Sequence, residues 1–214
     1  MTITTADLQR LFAMIAADIA VNRDRLCELD GVIGDADHGI AMDGGCQAAA
    51  TAVAALDPAT TEPATIFNTA AKAFLNAVGA SSGPLYATAF LRAGAAVKGK
   101  STLTDDDFVA LLTAMADGIQ QRGKAEPGEK TMLDAWKPAA DAARNARQAG
   151  ASLPASLAAA TEAARTGCEA TAAMLAAKGR ASRLGERVLG HVDPGAASAV
   201  IIVAAMERFV GTIG

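Results

Sequence analysis

Residues 4–19 read TTADLQRLFAMIAADI, and their apolar side chains recur every three or four residues. This spacing places the apolar side chains on one face of an α-helix. Thr4 and Thr5 precede the pattern, and a hydroxyl side chain at that position caps a first helical turn well. The segment therefore predicts an amphipathic helix that follows the two threonines and runs to about Arg23.

Helical periodicity continues through most of the chain. Pro84 and Pro154 lie near the first turns of two further helices, and Thr104 with Asp107 forms a variant of the capping box before a third. Strand patterns are nearly absent, and Ala fills the apolar faces, so helices can approach closely. We predict an all-α protein, either a bundle or a closed ring of antiparallel helices. The seven further helices are predicted at about residues 40–56, 63–78, 84–97, 105–122, 131–149, 154–177 and 195–213.

Composition limits the classes of protein to which the chain can belong. With 214 residues, 51% hydrophobic and 20% charged, it is predicted to form one globular domain over residues 1–214. A net charge of −4 argues against binding to nucleic acid or to an anionic membrane. The three cysteines match no zinc spacing and are interpreted as free or buried thiols of a reducing compartment. Because no signal-type or membrane-spanning segment is recognised, we expect a cytoplasmic protein.

Residues 30–39, DGVIGDADHG, combine three carboxylates, a histidine and glycines in one short segment. Carboxylate oxygens suit Mg²⁺, so Asp30, Asp35 and Asp37 are candidate ligands for a pair of ions that bridge the phosphates of a nucleotide. The other interpretation is that these acids cap helices or face solvent. The helix that follows His38 has free N–H groups in its first turn, which is what a phosphate site needs.

Three further segments are rich in Gly, Ser, Pro or charge. Residues 79–84, GASSGP, suit the approach of backbone N–H groups to a phosphate, or are only a connector. Residues 122–132, RGKAEPGEKTM, form a charged loop in which Thr131 is able to cap the next helix, or a solvated loop without a function. Residues 178–196 contain four Lys or Arg, and a segment of this length in a compact domain favours a lid.

Residues 94–101, GAAVKGKS, satisfy the P-loop pattern G-x-x-x-x-G-K-[ST]. A P-loop follows a buried strand and opens directly into a helix, whereas here a helical pattern precedes the motif and the next helix is predicted only at about residue 105. A P-loop NTPase that uses Lys100 and Ser101 remains one alternative. The other, from a different class, is a helical interaction protein that is not an enzyme and binds no nucleotide.

Taken in order, these motifs resemble the nucleotide-binding L subunit, or L domain, of dihydroxyacetone kinases. The resemblance rests on residues 29–39, 82–85, 122–132 and 178–196, and spans nearly the whole chain. It implies a closed barrel of eight antiparallel helices, with the nucleotide site in the loops at one end. The family usually reads Gly-Gly-Ala-Ser-Gly-Pro where this chain has GASSGP at residues 79–84, so the departure falls at Ala80 and Ser81.

The resemblance also assigns residues to the site. Asp30, Asp35 and Asp37 would hold two Mg²⁺ ions, and no catalytic nucleophile is expected in this chain. Residues at the start of the second helix and in the GASSGP loop would line the phosphates, residues of the 122–132 loop would border the nucleoside, and the others would belong to the lid. The residues assigned to binding ADP or ATP are His38, Gly39, Ile40, Ala41, Ser81, Ser82, Gly123, Thr131, Met132, Arg180, Asp193, Pro194 and Gly195.

The activity that the resemblance implies is phosphoryl transfer to dihydroxyacetone or a related keto-sugar such as erythrulose. In the family, a histidine of a separate K subunit or domain holds the keto-sugar covalently, so a K partner is expected. The phosphate source is left open between freely exchanging ATP and bound ADP that a phosphohistidine protein of the phosphotransferase system recharges. The oligomeric state, including a homodimer, is also open.

Overall fold

The computed structural model describes residues 1–213 and is built from α-helices. Two short 3-10 segments, Thr171–Ala173 and Ala181–Val188, lie between the last two helices. Within the described residues there is no strand, only one isolated bridge between Ile3 and Leu103. The all-α prediction is confirmed. The helices are α1 (Thr5–Ile33), α2 (His38–Ala54), α3 (Pro63–Ala77), α4 (Ser82–Ala96), α5 (Asp105–Gly123), α6 (Leu133–Gln148), α7 (Leu153–Ala170) and α8 (Pro194–Thr212).

The order of helix contacts follows the order of the chain. Each helix packs against the next, and α8 packs against α1. The core between them contains edge-to-face aromatic pairs, such as Phe12 with Phe90 at 5.4 Å between ring centroids. Small residues allow close approach, since a Cβ at Gly45 would lie 2.5 Å from the ring of Phe74. These contacts are consistent with the predicted closed ring of eight helices, in which short connections join antiparallel neighbours.

The first helix is longer than predicted. We expected it to end at about Arg23, but α1 continues to Ile33. Exposed charged residues at 23–25 interrupt the apolar pattern, yet Leu26, Asp30 and Ile33 keep the helical spacing on the buried face. The correction matters for the site, because Asp30 lies in the last turn of a helix and not in a loop.

The other helix ends lie close to their predicted positions, with one exception. The predicted capping box at Thr104 is confirmed, and the predicted N-cap of α1 is Thr4, which also forms a capping box with Asp7. The helix predicted to reach residue 177 ends at Ala170, and the irregular segment after it contains the 3-10 stretch Ala181–Val188, which is broken at Gly185 with φ of +58°. The segment between α7 and α8 is therefore folded into 3-10 turns and is not an extended loop.

Helix α8 is mostly apolar, and its charged residues are Glu207 and Arg208. By length and composition alone it qualifies as a membrane-spanning helix, with a mean hydropathy of 1.4. However, 56% of its most apolar stretch is buried inside the structure. Because core helices of water-soluble proteins meet the same criterion, this helix is weak evidence for a membrane protein.

Candidate functional site

The three carboxylates of the 30–39 segment come together where α1 ends and α2 begins. Asp30 lies in the last turn of α1, and Asp35 and Asp37 lie in the connection. One carboxylate oxygen from each lies within 4.8 Å of the others. Oxygens at this separation can share one cation or two neighbouring cations.

Backbone geometry holds Asp30 in this cluster. Its Oδ2 accepts hydrogen bonds from the backbone N–H groups of Asp37 at 2.9 Å and His38 at 3.2 Å. A Cβ at Gly34 would lie 2.1 Å from Asp30 Oδ1, so only glycine fits there. Ala36 adopts a left-handed conformation with φ of +63°, which turns the chain between the other two acids.

Glycine also determines how closely the two helices approach at the site. A Cβ at Gly39 would lie 2.0 Å from the carbonyl oxygen of Arg23 in α1. The first turn of α2 is therefore pressed against α1. As a result, the first turn of α2 lies beside the acids, as predicted from the sequence, and the N–H groups of Gly39 and Ile40 have no acceptor within residues 1–213.

The electrostatics of the cluster favour a cation. Burial raises the pKa of Asp37, and the neighbouring carboxylates of Asp35 and Asp30 raise it further, while Arg180 opposes the shift. A divalent cation would relieve this repulsion between like charges. The donor set consists only of carboxylate oxygens, which fits a hard cation such as Mg²⁺.

Residues 178–196, which are predicted to form a lid and are called the lid segment here, reach the acid cluster through Arg180. Its guanidinium forms an ion pair with Asp35, and the 3-10 stretch Ala181–Val188 packs against α1. Arg180 remains largely exposed, at 68% of its side chain. The structure thus places the positive charge of a long, exposed arginine directly beside a candidate metal ligand.

The base of the lid is held by Lys130, a residue to which the sequence analysis gave no role. Lys130 is buried, and its ammonium group donates to the carbonyl oxygens of Thr171, at 2.5 Å, and of His191. The backbone N–H of Asp193 donates to Thr171 Oγ1 at 2.9 Å. Lys130 therefore links both ends of the segment between α7 and α8 to the 122–132 loop. No local pattern distinguishes this lysine from its solvated neighbours, because its burial depends on segments distant in the chain.

The 122–132 loop is shaped by Asp134, which the sequence analysis also missed. Asp134 is buried, and its two carboxylate oxygens accept the backbone N–H groups of Gly128 at 2.5 Å and Thr131 at 2.8 Å. The spacing of Thr131 and Asp134 is that of a capping box, and this signal could have identified the residue. With the loop folded back, Met132 lies against α8, since a Cβ at Gly195 would be 3.3 Å from Met132 Cβ.

Helix α8 begins at the site with Asp193 as its N-cap. Asp193 Oδ2 accepts the backbone N–H of Ala196 at 2.7 Å. Burial raises the pKa of Asp193 to about 7, although the Ala196 N–H and the Lys130 ammonium oppose the shift. A raised pKa is unusual for the carboxyl group of an N-cap, because the N–H groups of a first helical turn normally stabilise the carboxylate.

His38, in the first turn of α2, faces the interior of the ring. Its Nε2 lies 3.0 Å from Ser198 Oγ in α8. Burial lowers the pKa of the imidazole, and the Asp30 carboxylate opposes the shift. Residues of α1, α2, α8 and the lid are therefore joined by direct contacts.

The remaining residues assigned to the site lie at neighbouring helix ends. Ser82 begins α4, and its hydroxyl is buried and has no hydrogen-bond partner within residues 1–213. Gly123 ends α5, where a Cβ would lie 3.2 Å from the side chain of Leu85. Ser81 and Ile40 are exposed. The hydrogen bonds and ion pairs of the described residues do not join Ser81, Ser82 or Gly123 to the acids.

The P-loop motif has the structural context that the sequence analysis expected. Helix α4 precedes it and ends at Ala96, and α5 begins only at Asp105. Lys100 forms an ion pair with Asp107 at 2.9 Å in the cap of α5. No strand precedes the motif in the described chain, so the P-loop alternative lacks its structural basis.

Comparison with known families decides the classification. A family model described as the DAK2 domain matches residues 32–208. The chain belongs to the DAK2 family. The matched range includes Asp35 and Asp37 of the acid cluster but begins two residues after Asp30, and it also includes the 122–132 loop and residues 178–196. It confirms the resemblance on which the site residues were assigned.

Relatives and solved structures agree with this classification. The ADP-binding subunit DhaL of a PEP-dependent dihydroxyacetone kinase from Escherichia coli is 40% identical over 83% of this chain and 84% of the relative. The ADP-binding subunit DhaL of a PTS-dependent dihydroxyacetone kinase from Lactococcus lactis is 38% identical over 86% of each chain. The dihydroxyacetone kinase from C. freundii, solved with AMP-PNP and Mg²⁺, superposes with a TM-score of 0.71 at 25% identity over 94% of this chain. The chain spans 33% of that larger kinase.

Proposed function

We propose that this chain is the nucleotide-binding subunit of a dihydroxyacetone kinase. It would take part in phosphoryl transfer to dihydroxyacetone, or to a related keto-sugar such as erythrulose, held on a separate K subunit. The observation that carries the proposal is the cluster of Asp30, Asp35 and Asp37 beside the free N–H groups of α2. A DAK2 family member of this length with such a cluster has the parts that a phosphoryl-transfer site needs.

The acid cluster is the proposed magnesium site. Asp30, Asp35 and Asp37 would hold two Mg²⁺ ions, which neutralise charge on the phosphates when they are bound. Asp30 is preorganised for this role, because two backbone N–H groups already fix its carboxylate. The Mg²⁺ and AMP-PNP of the C. freundii kinase structure support the choice of cation and ligand.

The surrounding residues would bind and enclose the nucleotide. We assign the phosphates to the first turn of α2 from His38 to Ala41 and to the hydroxyls of Ser81 and Ser82. Ser82 is the better supported of the two, because its buried hydroxyl has no protein partner in the described chain. Gly123, Thr131 and Met132 would border the nucleoside, and Arg180 with Asp193, Pro194 and Gly195 would close the site. The chain contributes positioning and charge and no nucleophile.

The phosphate source and partners follow from the relatives of matching length. Those relatives are named as ADP-binding subunits of PEP- or PTS-dependent kinases. We therefore infer that bound ADP is recharged by a phosphohistidine protein of the phosphotransferase system. A separate K subunit would supply the keto-sugar, and the whole of residues 1–214 would form one domain of a cytoplasmic protein.

Calorimetric titration of ADP into nucleotide-stripped protein, with and without Mg²⁺, tests the proposal. We expect Mg²⁺-dependent binding that is lost in Asp35→Ala and kept in Lys100→Ala. Lys100 is a matched control, because it also forms an ion pair with an aspartate near a helix start. Absence of binding in the wild type, or loss of binding only in Lys100→Ala, would overturn the proposal.

A further inference from the structure

A chain of buried polar side chains runs from the site into the core. It joins four helices, with His38 on α2, Ser198 on α8, Tyr86 on α4 and Trp136 on α6. Ser198 Oγ lies 3.0 Å from His38 Nε2 and 3.4 Å from the hydroxyl of Tyr86, and Trp136 Nε1 lies 3.4 Å from that same hydroxyl. Ser198, Tyr86 and Trp136 are fully buried. Burying a polar group costs free energy unless it is hydrogen-bonded, so each donor in this series of side chains needs an acceptor.

The donor and the acceptor of each hydrogen bond in this series of buried side chains can be assigned in turn. The indole N–H of Trp136 can only donate, so the hydroxyl of Tyr86 accepts from it. Ser198 has one proton, and it donates this proton to the carbonyl oxygen of Gly195 at 2.9 Å. Tyr86 therefore donates to Ser198 Oγ.

The same assignment decides the state of the histidine ring. With the proton of Ser198 directed to Gly195, Ser198 Oγ accepts from His38, and in this arrangement Nε2 is the protonated ring nitrogen. The other ring nitrogen, Nδ1, makes no hydrogen bond to the rest of residues 1–213. Nδ1 is thus the ring nitrogen left for a ligand.

We propose that Ser198 is a positioning residue of the nucleotide site, which accepts the Nε2–H of His38 and donates to the carbonyl of Gly195. Through these two bonds it holds the His38 ring with Nδ1 available to the ligand. It also joins the start of α2 to the start of α8, so that the phosphate side and the lid side of the site are one unit. Tyr86 and Trp136 support Ser198 from behind. The inference rests on the proposed function, because it takes His38 as a residue that lines the ligand.

Ser198→Ala is the variant that tests the inference. It removes the acceptor of His38 while changing only one atom of a buried side chain. We expect the affinity for ADP in the presence of Mg²⁺ to fall about tenfold, the effect of losing one well-placed hydrogen bond. Tyr86→Phe leaves Ser198 in place and should lower the affinity by less.

Ser156→Ala is the matched control. Ser156 is fully buried near the start of α7 and donates to the carbonyl oxygen of Ser152, the N-cap of that helix, at 3.0 Å, whereas Thr171 follows the other end of α7. We expect it to bind ADP as the wild type does. Thermal unfolding of both variants establishes that each is folded at the temperature of the titration.

A spectroscopic readout separates positioning from a general structural effect. Long-range ¹H–¹⁵N correlation spectra of the imidazole rings report directly which nitrogen carries the proton. The chain has two histidines, so His191→Gln assigns the signals. In the nucleotide-free wild type at about pH 8, we expect His38 to show a single Nε2–H tautomer, and in Ser198→Ala a mixture of tautomers.

Each outcome is decisive. An Nδ1–H tautomer in the wild type, an unchanged His38 spectrum in Ser198→Ala, or equal ADP affinity in Ser198→Ala and Ser156→Ala would overturn the inference. If the wild type binds no ADP with Mg²⁺, the proposed function fails and the role of Ser198 in binding fails with it. In that case the ring spectra still decide whether Ser198 locks His38.

Discussion

Two regions of this chain have sequences that suit phosphate binding, and they differ in what surrounds them. In residues 30–39, a Cβ at Gly34 would lie 2.1 Å from Asp30 Oδ1, so the glycine is needed to hold the acid. In residues 94–101, Gly99 has open space around it, and its φ of +77° serves only a turn. Lys100 in that region is paired with Asp107. The glycine of a phosphate-type motif supports a ligand site when the group that it accommodates is itself a candidate ligand, as Asp30 is at Gly34, and the motif alone does not show this.

The pair Gly34→Ala and Gly99→Ala tests this difference most strongly. Gly34→Ala must displace the Asp30 carboxylate from the acid cluster. Loss of a residue that supports a metal ligand lowers affinity by about 10- to 100-fold, and we expect the upper end for Mg²⁺-dependent ADP binding. Gly99→Ala should cost about 1 kcal/mol of stability, because alanine is strained at positive φ, and leave binding unchanged.

Calorimetric titration and denaturant unfolding of the two variants measure both effects. Equal ADP affinities in the two variants would show that the close contact at Gly34 does not position Asp30 for a ligand.

The two lysines of these regions give a second test, on stability. Lys130 is buried and donates to two carbonyl oxygens at the base of the lid, whereas Lys100 makes an ion pair near the surface. Lys130→Met would leave the His191 carbonyl without its ammonium donor, and we expect the free energy of unfolding to fall by about 2 kcal/mol. Lys100→Met should lower it by less than about 1 kcal/mol, as is usual for an exposed ion pair.

Urea unfolding of both variants provides the measurement. A loss in Lys100→Met as large as that in Lys130→Met would contradict the role of Lys130 in holding the lid.

These contrasts explain which features could be predicted from the sequence. The helices could be predicted, because burial of one helix face leaves a periodic pattern of apolar residues within a short stretch of sequence. The acid cluster could also be located, because Asp30, Asp35 and Asp37 are close in sequence. The roles of Lys130 and Asp134 were missed, because a loop's hydrogen bonds depend on distant segments such as Thr171 and His191. The end of α1 was missed for a related reason, since burial of Asp30 depends on the turn that follows it.

The pH dependence of stability gives a third test, at the start of α8. Burial raises the pKa of Asp193 from 3.8 to about 7, so the folded protein retains a proton that the unfolded chain has already released. The free energy of unfolding should therefore fall as pH rises through this window. Because Asp193 is only partly buried, solvent weakens the effect, and we expect the free energy of unfolding to fall by about 1–2 kcal/mol from pH 4 to pH 7.

Asp193→Asn should remove this decline, as measured by urea unfolding at a series of pH values. Asp107, in the cap of α5, is the natural counterpart. Burial acts to raise its pKa, but the backbone and hydroxyl of Thr104 and the ammonium of Lys100 lower it overall. Its contribution to stability should have the opposite sign, being present at neutral pH and lost as pH falls below the ordinary range of an aspartate. Asp107→Asn should therefore weaken the protein at pH 7 and change little under acid conditions. If stability changed with pH in the same direction through Asp193 and Asp107, the position at a helix start alone, and not the burial of Asp193 at the site, would determine their pKa values.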